Sequence, residues 1–166
     1  DVGDEWSRVA VLSGLKATAL PFLMLWLDEQ KVWPQVLPDE HLQFVSQLAS
    51  LIGARNQDAG LAECFELLGQ PKPPMPIAVR LALLCGLAEG MARTDRPLHT
   101  VVARPAAVLE KPVHSLGQLL QTASEVAASD QQESHLRALA IHAITQLRYE
   151  TAGELIAEVR TRRRHA

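Results

Sequence analysis

A chain of 166 residues that is 48% hydrophobic and only 4% aromatic is long enough to bury one sizeable core and too poor in aromatic residues for a sandwich or barrel. Its formal net charge of −3 hides a polarised end: Arg160, Arg162, Arg163 and Arg164 follow every acidic residue, so positions 1–159 hold 12 basic against 19 acidic side chains, a net of −7. A body that acidic repels a phosphate backbone and argues against a nucleic-acid partner.

Taken in chain order, the pattern is helical throughout. Asp4 caps a first helix with the stripe Trp6, Val9 and Leu12. A second begins at about Pro21, a residue suited to the first helical position. The stretch 32–38 (VWPQVLP) is a turn bounded by prolines. A third helix, 39–54, places Leu42, Val45, Leu48, Ala49 and Ile52 at helical spacing, with Gly53 as its stop, and 56–58 make a tight connection. A fourth covers 59–68 and ends at Gly69, before the proline-rich connection 70–76 (QPKPPMP).

The fifth and longest helix, 77–92, is almost wholly apolar through Leu81, Leu83, Leu84, Leu87 and Met91, which puts it at the centre of the fold. Periodicity weakens over 94–112, where prolines stand at 97, 105 and 112 and only 101–102 and 106–109 have the makings of short helical turns. That segment reads equally as a loop, an insertion or a distorted repeat. Periodicity returns in 113–128, with Leu116, Leu119, Leu120, Ala123 and Val126 on one face. A further helix, 131–147, has Asp130 as its cap and Glu133 as the reciprocal partner. A last one, 150–160, runs into the basic tail, where positive charge suits the negative end of a helix.

One pattern recurs along this series: an arginine early in a helix, followed by small and aliphatic residues. It reads WSRVAVL at 6–12, AVRLALL at 78–84 and LRALAI at 136–141. The interval from Arg8 to Arg80 halves into two equal units of hairpin length, whereas the interval from Arg80 to Arg137 is no multiple of that unit, so the repeats are irregular. Stacked helical hairpins account for such recurrence, because each is too small to bury its apolar face alone. The pattern resembles the second helix of HEAT repeats, in which an aspartate and the arginine stack in ladders between neighbouring units. The resemblance marks Asp4, Arg8, Arg80 and Arg137 as structural repeat positions. Only Asp4 and Arg8 reproduce the acid–base pair well, since Met75 and Pro76 stand where the second unit should supply its acid.

Read together, 6–15 (WSRVAVLSGL), 48–68 (LASLIGARNQDAGLAECFELL), 81–94 (LALLCGLAEGMART) and 136–147 (LRALAIHAITQL) resemble the HEAT-repeat region of the large multidomain haem-binding proteins common in planctomycetes. In that family a propeller precedes the HEAT region and a cytochrome c domain with a CxxCH motif follows it. The resemblance implies an all-α fold, a right-handed α-α superhelix that is a short HEAT-like solenoid of irregular hairpins, spanning 1–166 as one domain. It further implies an extracytoplasmic, periplasmic setting, and a start on Asp1 reads as a piece excised from a larger protein. CxxCH is absent here, so no cofactor is implied for any residue of this chain.

The residues that bear chemistry are scattered. His135 and His142 fall seven apart, opposite the stripe of Leu136, Leu139, Ala140 and Ala143, and two turns separate them by roughly 10 Å, too far to share one metal. His41, His99 and His114 form no i, i+4 pair, Cys64 and Cys85 are isolated and read as buried thiols rather than a disulfide, and no GxSxG, P-loop or GxGxxG occurs. Neither a metal site nor catalytic residues are expected. Trp6, Trp26 and Trp33 close the end of a core, or else form a stacking cluster for a ligand. The arginines of 160–164 are a solvated end, or a contact for nucleic acid or an acidic membrane surface.

The opening residues, DVGDE, do not read as a charged region leading into an apolar targeting segment, and the longest apolar run, 19–27, falls short of the roughly 18 residues of a membrane span. The expected role is a non-catalytic scaffold, a protein-interaction or spacer module whose partner is another protein or a neighbouring domain. The alternatives are an accessory domain of a haem-binding redox protein and a HEAT-like DNA-binding or glycosylase-type domain.

Overall fold

A computed structural model describes residues 12, 14–15, 18–30, 33, 37–69 and 74–147. Among these the chain is all-helical, with seven α-helices: α1 (Ala19–Glu29), α2 (Asp39–Arg55), α3 (Asp58–Gly69), α4 (Ile77–Met91), α5 (Leu98–Ala103), α6 (Glu110–Ala128) and α7 (Ser134–Leu147). A 3-10 turn, Ala107–Leu109, leads into α6. The short turns expected within 94–112 are thus α5 and the 3-10 turn. Of the expected first helix only residues 12 and 14–15 are described, and the segment 150–160 and the basic tail lie outside the described residues.

Prolines and one left-handed residue set most of the helix limits. Pro38, Pro76 and Pro97 each stand immediately before a helix with extended backbone, the conformation proline's fixed φ favours and one that costs no internal hydrogen bond. Pro21 and Pro112 sit three positions further in, as third residues of α1 and α6, where the missing N–H would have had no intrahelical partner in any case. Helix α2 stops at Asn56 rather than at Gly53. Asn56 takes the left-handed conformation, with φ of 49°, and its N–H donates to the carbonyl of Gly53, as a short polar side chain permits. Nor is Asp130 the cap of α7, which begins at Ser134 with the Glu133 carbonyl accepting from the Arg137 N–H at 3.0 Å.

The glycine at 53 is buried inside α2 because another backbone presses on it. A Cβ there would lie 3.1 Å from the Leu87 carbonyl carbon and the Met91 nitrogen of α4. Across the same interface Gly86 meets the backbone of Ser46, and Gly90 that of Ser50 and Ala54. The pairings Ser46 with Gly86 and Ser50 with Gly90 share one sequence offset, so α2 and α4 run parallel with their axes as close as small residues allow. This is the most extensive helix contact in the fold.

The remaining helices take their places from that pair. Helix α4 is buried on every side from Leu81 to Ala88, and Glu89 alone of its last eleven residues is exposed. It is the central helix that its unbroken apolar sequence requires. Helix α1 packs on α2, α7 packs on α4, and α3 packs on α6, where Gly69 accommodates Ser115. His135 lies beside Asp39 at the start of α2 and His142 beside Glu89 near the end of α4, so α7 runs in the same sense as both. Buried side chains of all seven helices form one apolar cluster.

Two substitutions separate filling from approach. Leu84 is fully buried, and Leu84→Ala should cost about 2–5 kcal/mol. Gly86→Ala adds a methyl group where the Ser46 backbone already stands and should destabilise. Gly60→Ala meets only the Leu20 side chain at 3.5 Å and should be neutral or stabilise by up to about 1 kcal/mol. Urea midpoints of the three variants check the order.

Candidate functional site

The recurring arginines turn out to serve connections. Arg80 and Arg137 are each the fourth residue of their helix, and each reaches back toward the segment before it. Arg80 donates from Nε to the Leu68 carbonyl at 2.9 Å, and from a terminal nitrogen to the carbonyls of Leu68 and Gly69. These are among the last carbonyls of α3, which have no intrahelical donor, and the guanidinium meets the negative end of the helix. Burial lowers the Arg80 pKa from its usual value, yet a guanidinium stays charged at neutral pH. Arg137 pairs with Asp130 of the preceding turn at 3.4 Å, its side chain only 13% exposed. Asp4 and Arg8 lie outside the described residues.

A second polar group joins two turns and was not foreseen from the pattern of arginines. The Asn56 side-chain nitrogen donates to the Thr94 hydroxyl at 2.7 Å and to the Arg96 carbonyl at 3.1 Å. Arg96 returns to Asp58 at 2.8 Å, and the Thr94 hydroxyl donates to the Met91 carbonyl at 2.7 Å. Both side-chain pairs, Asn56 with Thr94 and Asp58 with Arg96, are 38 residues apart. The turn after α2 is therefore bonded to the turn after α4. An asparagine ending a helix and an aspartate opening the next are visible in the sequence; that their partners lie 38 residues later is not.

Aromatic residues gather at the α1 end. Trp26 meets Trp33 and Phe44 edge-on, each at 5.9 Å, Phe22 meets Phe44 at 6.2 Å, and His41 lies 6.2 Å from Trp26. Trp33 donates its indole N–H to the Pro74 carbonyl at 3.1 Å, tying the connection after α1 to the end of the proline-rich segment. Phe44 is buried and Trp26 and Trp33 are half-buried, as when aromatic rings close a core. Trp6 lies outside the described residues.

The histidines and cysteines do not converge. His135 and His142 are exposed and each approaches one carboxylate, Asp39 at 3.8 Å and Glu89 at 3.7 Å. Among the described residues no three or more His, Cys, Asp or Glu side chains are placed to hold a metal ion. Cys64 and Cys85 are buried free thiols. Burial pushes both up to about 12, with Glu63 adding for Cys64 and Glu89 for Cys85. No helix among the described residues is long and apolar enough to cross a membrane. Comparison with protein-family models, with curated proteins and with solved structures finds no match to this chain.

Two outcomes follow from this chemistry. Asn56→Ala should lose the turn-to-turn bonds and strain a left-handed position, at about 1–3 kcal/mol, whereas Asn56→Gly should recover the backbone part; chemical denaturation distinguishes them. A thiol whose folded pKa lies above its unfolded value contributes fully below the unfolded pKa of 9.0, and that contribution is lost as pH rises toward about 12. Stability should fall across that window, less steeply in Cys64→Ala and Cys85→Ala, and a thiol reagent at neutral pH should modify neither cysteine until the chain unfolds.

Proposed function

We propose that this chain is a non-catalytic helical-repeat module, a short right-handed α-α superhelix of HEAT-like hairpins, which holds a protein partner or sets the spacing between neighbouring domains. The observation that supports it is the parallel register of α2 on α4. One constant sequence offset carries the serines of α2 onto the glycines of α4, and a nearly equal one bonds the turn after α2 to the turn after α4. Successive hairpins packed in register in this way are the defining contact of repeat architectures.

The polar side chains already described fit the same reading. Arg80 is used at the end of α3, Arg137 and Asp130 at the α6–α7 connection, and Asn56, Asp58, Thr94 and Arg96 between turns. Each stabilises a connection or a helix end rather than facing a common point where a substrate would react. The net −7 of positions 1–159 favours a protein partner over nucleic acid. Under the HEAT-region resemblance the setting is extracytoplasmic.

Amide hydrogen exchange on the isolated chain and on the native gene product recovered from its cells tests the role. A contiguous surface that gains protection in the native product supports a docking or spacing module. Equal exchange in both settings, or turnover or a bound cofactor in the purified chain, removes it.

A further inference from the structure

Helix α1 is apolar without a break from Ala19 to Leu27, the composition of a helix covered on every side, yet the fold buries only Ala19, Leu23 and Leu27. One open flank carries more than aliphatic surface. Phe22, Leu25, Trp26 and Glu29 stand at the i, i+3, i+4 and i+7 positions of a single face, and Leu25 is 60% exposed. Trp26 meets Trp33 with the indoles inclined at 65°, so the two rings make a corner rather than a stack. Helix α2 contributes His41 and Phe44 beside Trp26, with Glu40 one turn before Phe44 on the same face. Glu29 and Glu40 are exposed, so carboxylates border the corner from both helices.

The corner already holds extended proline backbone. The Trp33 indole donates to the carbonyl of Pro74, an exposed residue, and two residues further on Pro76 has φ of −55° and ψ of 146°, the polyproline II conformation. Such backbone makes no internal hydrogen bonds, and prolines have no N–H. It is recognised by rings and by donors to its carbonyls, and aromatic-lined grooves are where proline-rich segments dock. Trp26 and Trp33, both half-buried, are also of the residue type that most often anchors a protein contact.

We propose that the outer face of this corner, Phe22, Leu25, Trp26 and Trp33 rimmed by Glu29 and Glu40, docks a proline-rich segment of another protein that carries lysine or arginine beside its prolines. The proposal rests on the reading of this chain as a module that holds a partner, and it names the chemistry of that partner. Proline rings lie on the indoles and on Leu25, while the flanking cation reaches the two glutamates. That rim selects a basic segment over an acidic one, in keeping with the net −7 of positions 1–159. The bond from Trp33 to Pro74 holds the ring in place beforehand, so little side-chain freedom is lost on binding.

Synthetic peptides read by tryptophan fluorescence test the docking site. A lysine-flanked octaproline should bind the purified chain at least about tenfold more tightly than a glutamate-flanked octaproline, or than a lysine-flanked peptide with serine in place of every proline. Glu29→Lys with Glu40→Lys should reverse the preference between the two octaprolines. Leu25→Ala and Trp33→Phe should each weaken the lysine-flanked octaproline. Leu25, Glu29 and Glu40 are exposed, so their variants keep the fold, which amide protection of α2 and α4 checks. Equal binding of the proline and serine peptides, or a preference unchanged by the double substitution, overturns the proposal. So does dimerisation in sedimentation that Leu25→Ala abolishes, since a second copy would then cover the corner. In the native gene product, protection confined to another surface overturns the docking site and leaves the module reading standing, whereas exchange equal to that of the isolated chain removes both.

Discussion

The contact of α2 with α4 is the constraint on which the other packing depends. Hydrophobic burial alone would hold two helices at an ordinary separation, with side chains between them. Here Gly53, Gly86 and Gly90 remove those side chains, and the backbones of Ser46 and Ser50 sit directly over glycine. Dispersion falls off steeply with distance, so such an approach strengthens every surrounding contact and fixes the relative slide of the helices. Once that slide is set, the turns that follow α2 and α4 lie side by side, and Asn56 can reach Thr94 at 2.7 Å. A shift of a single residue would carry the glycines away from the serines and part the turns.

Polar side chains in this molecule close open backbone groups more than they attract distant charges. Helix ends present carbonyls and N–H groups that no helical bond satisfies, and a stack of short helices has many such ends close to its core. Arg80 answers the end of α3, Asn56 ends α2 by taking the left-handed conformation, and Thr94 returns its hydroxyl to the Met91 carbonyl. The exposed pairs, His135 with Asp39 and His142 with Glu89, are of the kind worth little in water. Stability therefore rests on close packing and satisfied ends.

Much of this was legible in the sequence, for a physical reason. Strong helical periodicity reports which face is buried, and it located α2, α3, α4, α6 and α7 to within a few residues, together with the full burial of α4 and the short turns in 94–112. What it could not report is why a glycine is present. Gly53 reads as a stop because glycine favours helix ends, yet its function is to admit another backbone, and that neighbour, α4, lies two helices further along the chain. Asp130 similarly has the residue type of a cap, but it faces the Arg137 side chain. The arginine motif located helix starts correctly while concealing that Arg80 and Arg137 serve different connections, since a shared position on the helix does not dictate a shared partner.

The same distinction bears on the connections. Between α4 and α6 the segment 94–112 adds α5 and a 3-10 turn. That addition lengthens the connection without disturbing the contact that sets the register, because α4 still meets α2 along its own length and α7 still runs in the same sense. A stack held by helix-to-helix contacts absorbs length in its connections, since loop closure becomes only slowly costlier as a connection grows. Connections are thus where such a chain can vary, while the glycines and serines of the α2–α4 seam admit almost no change.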